Sequence, residues 1–533
     1  MKANPMNYAA LALALTIGSA AQAQRGYTRA QDRMLEEARS FAYGEQWADA
    51  YMLYKGLLPI DTTFADVYQE AAMCELRLPG MRDLADGHFE IAARLGNTEA
   101  VYHMALARHR QQRFDEEIAL LEQYGKMRDR DTDPADVDRQ KQIAKYAKLM
   151  TARPVDLRIR NLGTNINSPA HDYCPIITAE GNTMYFTSRR KGTMGSLKDA
   201  SGQEFEDIYT ATSTNGEWAT AANVGAPLNT EAQDATVGLG KDGNEMIIYR
   251  ADATMLDGDL FIASKVQGRW QEPVRMTDAI NSDAHEPSAT ISPDGAEIYF
   301  SSDRAGGFGG RDLYRIRRLP NGEWSLPLNL GPKINTQFDE DAPFMHSDGT
   351  TLFFSSNGHN TMGGFDIFKA SLTDPDLNTW ATPENMGYPL NTVNDDIYFC
   401  LSADGRTGYF SSERPNGLGG QDIYQAIFPV NQIEYQLVRG VVVNGNDVPL
   451  KASIVLSRLG NDEPEGTYLT NGRTGRYLMA VRPGADYHVQ VTAPGYDALE
   501  QDLHADDNFQ DHIMSLDFTL VSSERTAGAT PKK

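Results

Sequence analysis

Across residues 154–430 apolar and polar side chains alternate in short runs with a period of two, broken by Gly, Asn, Asp and Pro, the pattern of half-buried strands joined by tight turns. The stretch 280–324 displays one unit. Residues 288–291 predict an inner strand, Pro293-Asp294-Gly295 a turn, 297–301 a second strand and 312–316 a third, with Asn321-Gly322 as a hairpin turn into a fourth strand opening at Trp324. The unit occurs five times. Aligned on the Asp/Glu-Gly turn, the copies are spaced by 62, 52, 54 and 56 residues, a period that marks a ring or stack of repeated units.

Four antiparallel strands per unit predict a five-bladed β-propeller. Its closure can be counted. Fourth strands open at Trp218, Trp270, Trp324 and Trp380, one fewer than the units, and residues 155–167 match the stretches that precede Asn281 and Asn335. An N-terminal strand is therefore expected to complete the last blade and remove the exposed edge. That latch also places the segments flanking the ring side by side.

Ahead of the ring, residues 27–150 change to a helical spacing of apolar positions. The residue after each break falls at Trp47, Met81 and Phe114, steps of 34 and 33, which resembles tetratricopeptide repeats. Such a solenoid offers either a concave groove for a peptide or partner helix or a cap that only packs on the ring. After the ring, residues 433–521 form a β-rich unit. It resembles the carboxypeptidase regulatory-like domain through Gly440-Val441-Val442-Val443, Pro449-Leu450, Gly475-Arg476-Tyr477 and Ala493-Pro494-Gly495-Tyr496. Residues 522–533 lack apolar periodicity and are expected to be disordered. The fold class expected is thus a multidomain α plus all-β chain: an N-terminal tetratricopeptide-like α-solenoid, a five-bladed β-propeller and a C-terminal transthyretin-like β-sandwich.

Charge and compartment narrow the partners. The 533 residues carry a formal net charge of -24, with 73 acidic side chains against 49 basic, which argues against nucleic acid and anionic membrane surfaces. Residues 1–23 read as a signal peptide, with Lys2, an apolar run over 8–17 and Ala21-Gln22-Ala23 before the cut. No apolar run is long enough to span a bilayer, so the expected location is the periplasm, peripheral to the outer membrane. Cys74, Cys174 and Cys400 do not form a disulfide framework. Cys174 and Cys400 fall at equivalent positions of neighbouring units, with buried free thiols favoured over a bridge.

Reactive chemistry is sparse. No G-x-S-x-G nucleophile elbow exists, the Gly-rich loops run from strand to strand with no helix to receive a phosphate, and His285-Glu286 lacks a second His at helical spacing. No catalytic residue, cofactor or metal is expected. One constellation persists. Five residues after the Asn that ends each fourth strand stands an acid, Asp172, Asp234, Glu286, Glu340 and Asp396, forming a ring at the mouth of the channel. Either these carboxylates accept hydrogen bonds from backbone N–H groups of the neighbouring blade, holding the ring together, or they make a site for a cation or basic peptide. The loop over 188–206 is longer than its counterparts, and Ile248-Tyr249-Arg250 replaces the aromatic-Ser-Ser of other units.

The order of signal peptide, tetratricopeptide-like helices, TolB-like repeats of the kind seen in Phe300-Ser301-Ser302-Asp303-Arg304, and a regulatory-like β unit resembles PorE-like periplasmic proteins of the Bacteroidetes type IX secretion system. The resemblance implies a non-enzymatic scaffold that docks secretion-machinery proteins in the envelope. Members of that family continue into an OmpA-like domain, which this sequence lacks, so contact with peptidoglycan is expected only indirectly. Two alternatives stand beside the scaffold: a peptide- or glycan-binding propeller module, and an accessory subunit of a hydrolase.

Overall fold

The structure is a computed structural model. It describes residues 27–523 except 79, 128–132, 180, 200–201, 215, 241–242, 253–257, 376, 430–434, 461–463, 473 and 506–512. The expected signal peptide and most of the expected disordered tail lie outside the described residues.

The fold-class expectation needs correction. The chain is mainly β, 36% strand against 21% helix. Its described residues hold seven helices and seven small sheets, two of the pairings in the C-terminal unit being parallel. Helical periodicity over 27–150 gave the helices the weight of a separate structural class. The regular structure is in fact dominated by strands, because five repeats and the C-terminal unit all contribute short ones while the long helices are confined to Arg29–Thr151.

Helices α1 (Arg29–Tyr43), α2 (Trp47–Leu57), α3 (Ala65–Glu75), α4 (Arg82–Arg94), α5 (Thr98–Arg110), α6 (Phe114–Lys126) and α7 (Pro134–Thr151) each pack on the next. Their starts are written locally. Thr28 and Gln31 form a capping box at α1, Asn97 caps α5, and Asp133 caps α7 with Pro134 at its first turn.

Five sheets follow, their inner strands at Asp172–Ile177, Asp234–Leu239, Ala289–Ile291, Glu340–Met345 and Asp396–Leu401. Each inner strand contacts that of the next sheet and the fifth contacts the first, so the sheets close a ring of five blades. Arg158–Asn161 pairs antiparallel with Asp422–Ile427, Arg160 opposite Gln425, and supplies the outer edge of the fifth blade. In the third blade Trp324 makes only an isolated bridge to Arg318, and Leu328–Asn329 is the edge strand. Apolar cores lie between neighbouring blades: Tyr299 and Leu313 of one pack with Phe354, Phe368 and Trp380 of the next. The Gly-rich loops serve this closeness. A Cβ on Gly309 would stand 2.4 Å from the backbone of Gln337, and one on Gly363 2.4 Å from Thr392 O, both in the following blade.

The C-terminal unit holds two four-stranded sheets. One contains Gln436–Asn444 paired with Arg476–Val481, Ile513–Ser515 and Phe518–Leu520; the other runs through Pro464–Leu469, Ser453–Arg458, Asp486–Thr492 and Leu499–His504. Val438, Val442, Ile454, Val489 and Phe518 form their shared core.

The flanking parts are not side by side. His109 Nε2 donates to Met362 O at 2.9 Å, Arg139 donates to Asn357 O at 2.7 Å, and Phe114 and Ala147 pack on Met362, all where the inner strands begin. By contrast Tyr435 donates to Asp348, lies 4.8 Å from the His346 ring and packs on Ala403, where the inner strands end. Helices and C-terminal unit therefore hold opposite faces of blades four and five. A shared blade brings two segments to one sheet but leaves open which end of its strands each covers.

Candidate functional site on the ring axis

The acids predicted to ring an open mouth are all buried: Asp172, Asp234, Glu286, Glu340 and Asp396 are at most 1% exposed. Each accepts from the backbone N–H and the hydroxyl of the Ser or Thr four residues earlier, namely Ser168, Thr230, Ser282, Thr336 and Thr392. Four also receive a guanidinium: Arg190 on Asp172 at 2.5 Å, Arg250 on Asp234 at 2.5 Å, Arg304 on Glu286 at 3.1 Å and Arg414 on Asp396 at 2.9 Å. A carboxylate taken out of water must be matched in this way. The five acids consequently face their own blades: each accepts a backbone hydrogen bond, but from the residue four earlier and not from the neighbouring blade, and the open ring at the channel mouth is a correction to the sequence reading.

Two departures from symmetry are informative. Arg250 stands in the second-strand register where the other blades carry their second Ser, yet it reaches the same acid and, through Nη2, the Leu228 carbonyl. The fourth blade has Gly358 where an arginine would stand, and a Cβ there would lie 1.9 Å from Thr336 Oγ1. His359 Nε2 donates to Ile334 O at 2.8 Å, replacing the arginine's carbonyl contact but not its charge. Burial, with hydroxyl and backbone donors as partial compensation, pushes Glu340 up to about 7.

The remaining repeated polar residues are also structural. Asn167, Asn229, Asn281 and Asn335 accept from and donate to a single third-strand residue, Ile423, Ile208, Leu260 and Leu313 respectively, and Asn391 does so with Ile367. A side-chain amide thus stands in for a strand partner. The first residue of three of the four hydroxyl pairs crosses between blades: Thr187 meets Thr236 at 2.9 Å, Ser301 donates to Glu340 O, and Ser411 accepts from Cys174 N, whereas Ser355 Oγ is buried without a hydrogen-bond partner.

The repeats differ where they face the axis. The residue before each third-strand Asp is Glu206, Gly258, Arg311, Phe365 or Gln421. Its backbone is fixed by ring closure, since the carbonyls of Glu206, Arg311, Phe365 and Gln421 accept from Asp234, Glu340, Asp396 and Asp172 of the next blade. Three of these side chains, Glu206, Arg311 and Phe365, converge with the second and third residues of the inner strands. Tyr173 hydrogen-bonds Glu206, and the Tyr173 and Tyr398 rings lie 5.8 Å apart at 31°. Arg311 Nη1 meets Asp341 Oδ2 at 2.8 Å, and its guanidinium lies 5.9 Å from the Phe365 ring. Asp341 also accepts from Ser288 Oγ and from Ala342 N. Burial raises Glu206 above the usual carboxyl range against the opposing bond from Tyr173, and it holds both tyrosine hydroxyls well above theirs. Cys174, Ala342 and Tyr398 adopt φ of 50°, 50° and 59° at bulges in three inner strands. For a tyrosine that backbone is an outlier, and bulges re-aim side chains.

Towards the other end of the inner strands the axis is apolar. A cavity of about 90 Å³ is lined there by Ile177, Leu239, Ile291, Phe344 and Leu401, with Cys174 and Tyr398 at its depth. Cys174, Cys400 and Cys74 are buried free thiols, and burial pushes Cys174 up to about 12. Among the described residues no group of three His, Cys, Asp or Glu side chains is placed to hold a metal ion.

The helical repeat positions converge on no site. Trp47 opens α2 under the Arg77 guanidinium at 4.7 Å, Met81 caps α4, and Phe114 opens α6 against the ring. In the long loop, Arg189 donates to Glu204 O and pairs with Asp199, which ties residues 189–199 to residues 202–206. Sequence reasoning missed Tyr173, Glu206, Arg311, Phe365 and Tyr398 because it collected what the repeats share. The signal lay in the aligned columns that do not repeat.

No family model matches the chain, and no curated protein matches it. Solved structures that are similar include an alpha-L-arabinofuranosidase from Lactobacillus brevis, 14% identical, covering 50% of this chain and 94% of that one at a TM-score of 0.32. Another is a Penicillium chrysogenum alpha-L-arabinanase complexed with arabinobiose, 11% identical over 52% of this chain and 100% of that one, TM-score 0.32. A third is an endo-arabinase from Bacteroides thetaiotaomicron, 12% identical over 50% of this chain and 97% of that one, TM-score 0.33. Likenesses this slight identify neither an activity nor a ligand for this chain.

Proposed function

We propose that the protein is an exported binding module of the cell envelope that holds a peptide or glycan on the ring axis, at the end where the inner strands begin, and does so without turning it over. The observation that carries this reading is the contrast within the repeats. Residues that build blades recur from copy to copy, whereas the residue before the third-strand Asp is different in all five copies, and beside that column Tyr398 is kept at positive φ. The test is equilibrium dialysis of the full-length protein against a low-molecular-mass envelope extract, with mass spectrometry of what is retained. Retention of a compound that Tyr398→Gly fails to retain supports the reading. Retention of nothing, or hydrolysis of the retained compound by the pure protein, overturns it.

A second reading keeps the secretion-machinery scaffold implied by the PorE-like resemblance. It is supported by the helices docked on blades four and five, which leave Tyr43 and Met52 of α1 and α2 exposed at 75% and 63% on the part of the stack away from those contacts. Co-isolation of outer-membrane secretion components that is lost on Tyr43→Ser with Met52→Ser, and unaffected by Tyr398→Gly, favours this reading over the first.

A further inference from the structure

We infer that the axial site at the start of the inner strands takes a neutral saccharide unit; this rests on the binding reading above and specifies its ligand. The argument begins from charge. The guanidinium groups that act on Tyr173 and Tyr398 are already matched, Arg311 by Asp341 at 2.8 Å and Arg189 by Asp199. Glu206 shares a hydrogen bond with Tyr173 and lies in the field of the Arg189 guanidinium. A charged ligand would enter without a free counter-charge and would lose its hydration for nothing. A purely apolar ligand would strand the remaining guanidinium donors and the Tyr398 hydroxyl.

What satisfies both conditions is an uncharged molecule dense in hydroxyls with one face able to lie on an aromatic ring. Tyr398, Tyr173 and Phe365 are all partly exposed and supply such rings, and Glu206 and Arg311 supply an acceptor and a fork of donors beside them. A sugar ring has that chemistry, because its hydroxyls accept from guanidinium and donate to carboxyl while its C–H face rests on an aromatic surface. The backbone strain fits as well. Relaxing Tyr398 out of φ 59° would turn its ring away from Tyr173, so the bulge maintains the platform.

The test is calorimetric titration of the full-length protein with malto-, xylo- and chitotetraose, with an acidic oligogalacturonide, and with an uncharged capped tetrapeptide. Binding of at least one neutral oligosaccharide, weakened tenfold or more by both Phe365→Ala and Glu206→Gln in variants whose circular dichroism matches the parent, is the expected result. Binding of the oligogalacturonide in preference to every neutral sugar overturns the neutrality argument and with it the proposal. Binding of the tetrapeptide and no sugar overturns the saccharide and leaves the binding reading standing. If no probe binds, the proposal falls; the binding reading then stands or falls separately on what the envelope extract yields in dialysis.

Discussion

The repeated framework of the blades and the unrepeated residues on their axis are built from the same strands yet answer to different constraints. In the framework each of the five acids accepts from a Ser or Thr, an asparagine recurs in every copy, and four of the five copies add an arginine to the acid. On the axis the backbone is held just as firmly by ring closure, but the side chains no longer resemble one another. Recurrence within one chain therefore marks what the ring needs to stand, and divergence marks what it holds. The fourth blade sharpens the lesson: where the arginine is missing, the framework acid carries the cost as a raised affinity for protons.

Four measurements would break or sharpen this contrast. Asp396→Ala leaves Arg414 buried without its partner and should cost about 3 to 5 kcal/mol by chemical denaturation. A loss under about 1 kcal/mol would show that the framework pairs are expendable.

Next in size is the pH effect carried by Glu340 in the fourth blade. An unfolded Glu ionises near its ordinary 4.5, whereas Glu340 keeps its proton to about 7. Below the first value both states are protonated and the contribution is complete. As pH rises between the two, only the unfolded chain gains by ionising, so stability falls by about 3 kcal/mol. Denaturation of wild type and Glu340→Gln at the two ends of that window should show this part of the slope removed in the variant; parallel slopes would mean that Glu340 titrates normally.

Asn335→Ala removes the amide that pairs with both Leu313 N and Leu313 O, and should cost about 2 kcal/mol with ligand affinity unchanged. Tyr398→Gly is the converse. Glycine relieves the positive φ, so stability should move by less than about 1 kcal/mol while ligand retention disappears. If instead Tyr398→Gly unfolds the ring, the axial residues belong to the framework and the distinction collapses.

Much of the ring was legible in the chain. The two-residue alternation, the Asp-Gly turns and the missing fourth strand predicted five similar sheets and a latch, and the structure pairs Arg158–Asn161 with Asp422–Ile427. The spacing of Asp172, Asp234, Glu286, Glu340 and Asp396 was legible too, but their burial was not, because spacing says nothing about which side of a strand's end the next loop covers. The balance of strand over helix, the parallel pairings of the C-terminal unit and the opposite placement of the two flanking parts also escaped the sequence.

What the sequence determined was local: which runs become strands, where chain turns occur, and which polar side chains recur to be matched within a blade. Only the tertiary structure decided that Tyr173, Glu206, Arg311, Phe365 and Tyr398 meet. They come from four blades and more than two hundred residues of chain, and their meeting depends on ring closure, which fixes backbone position without regard to the side chain carried there.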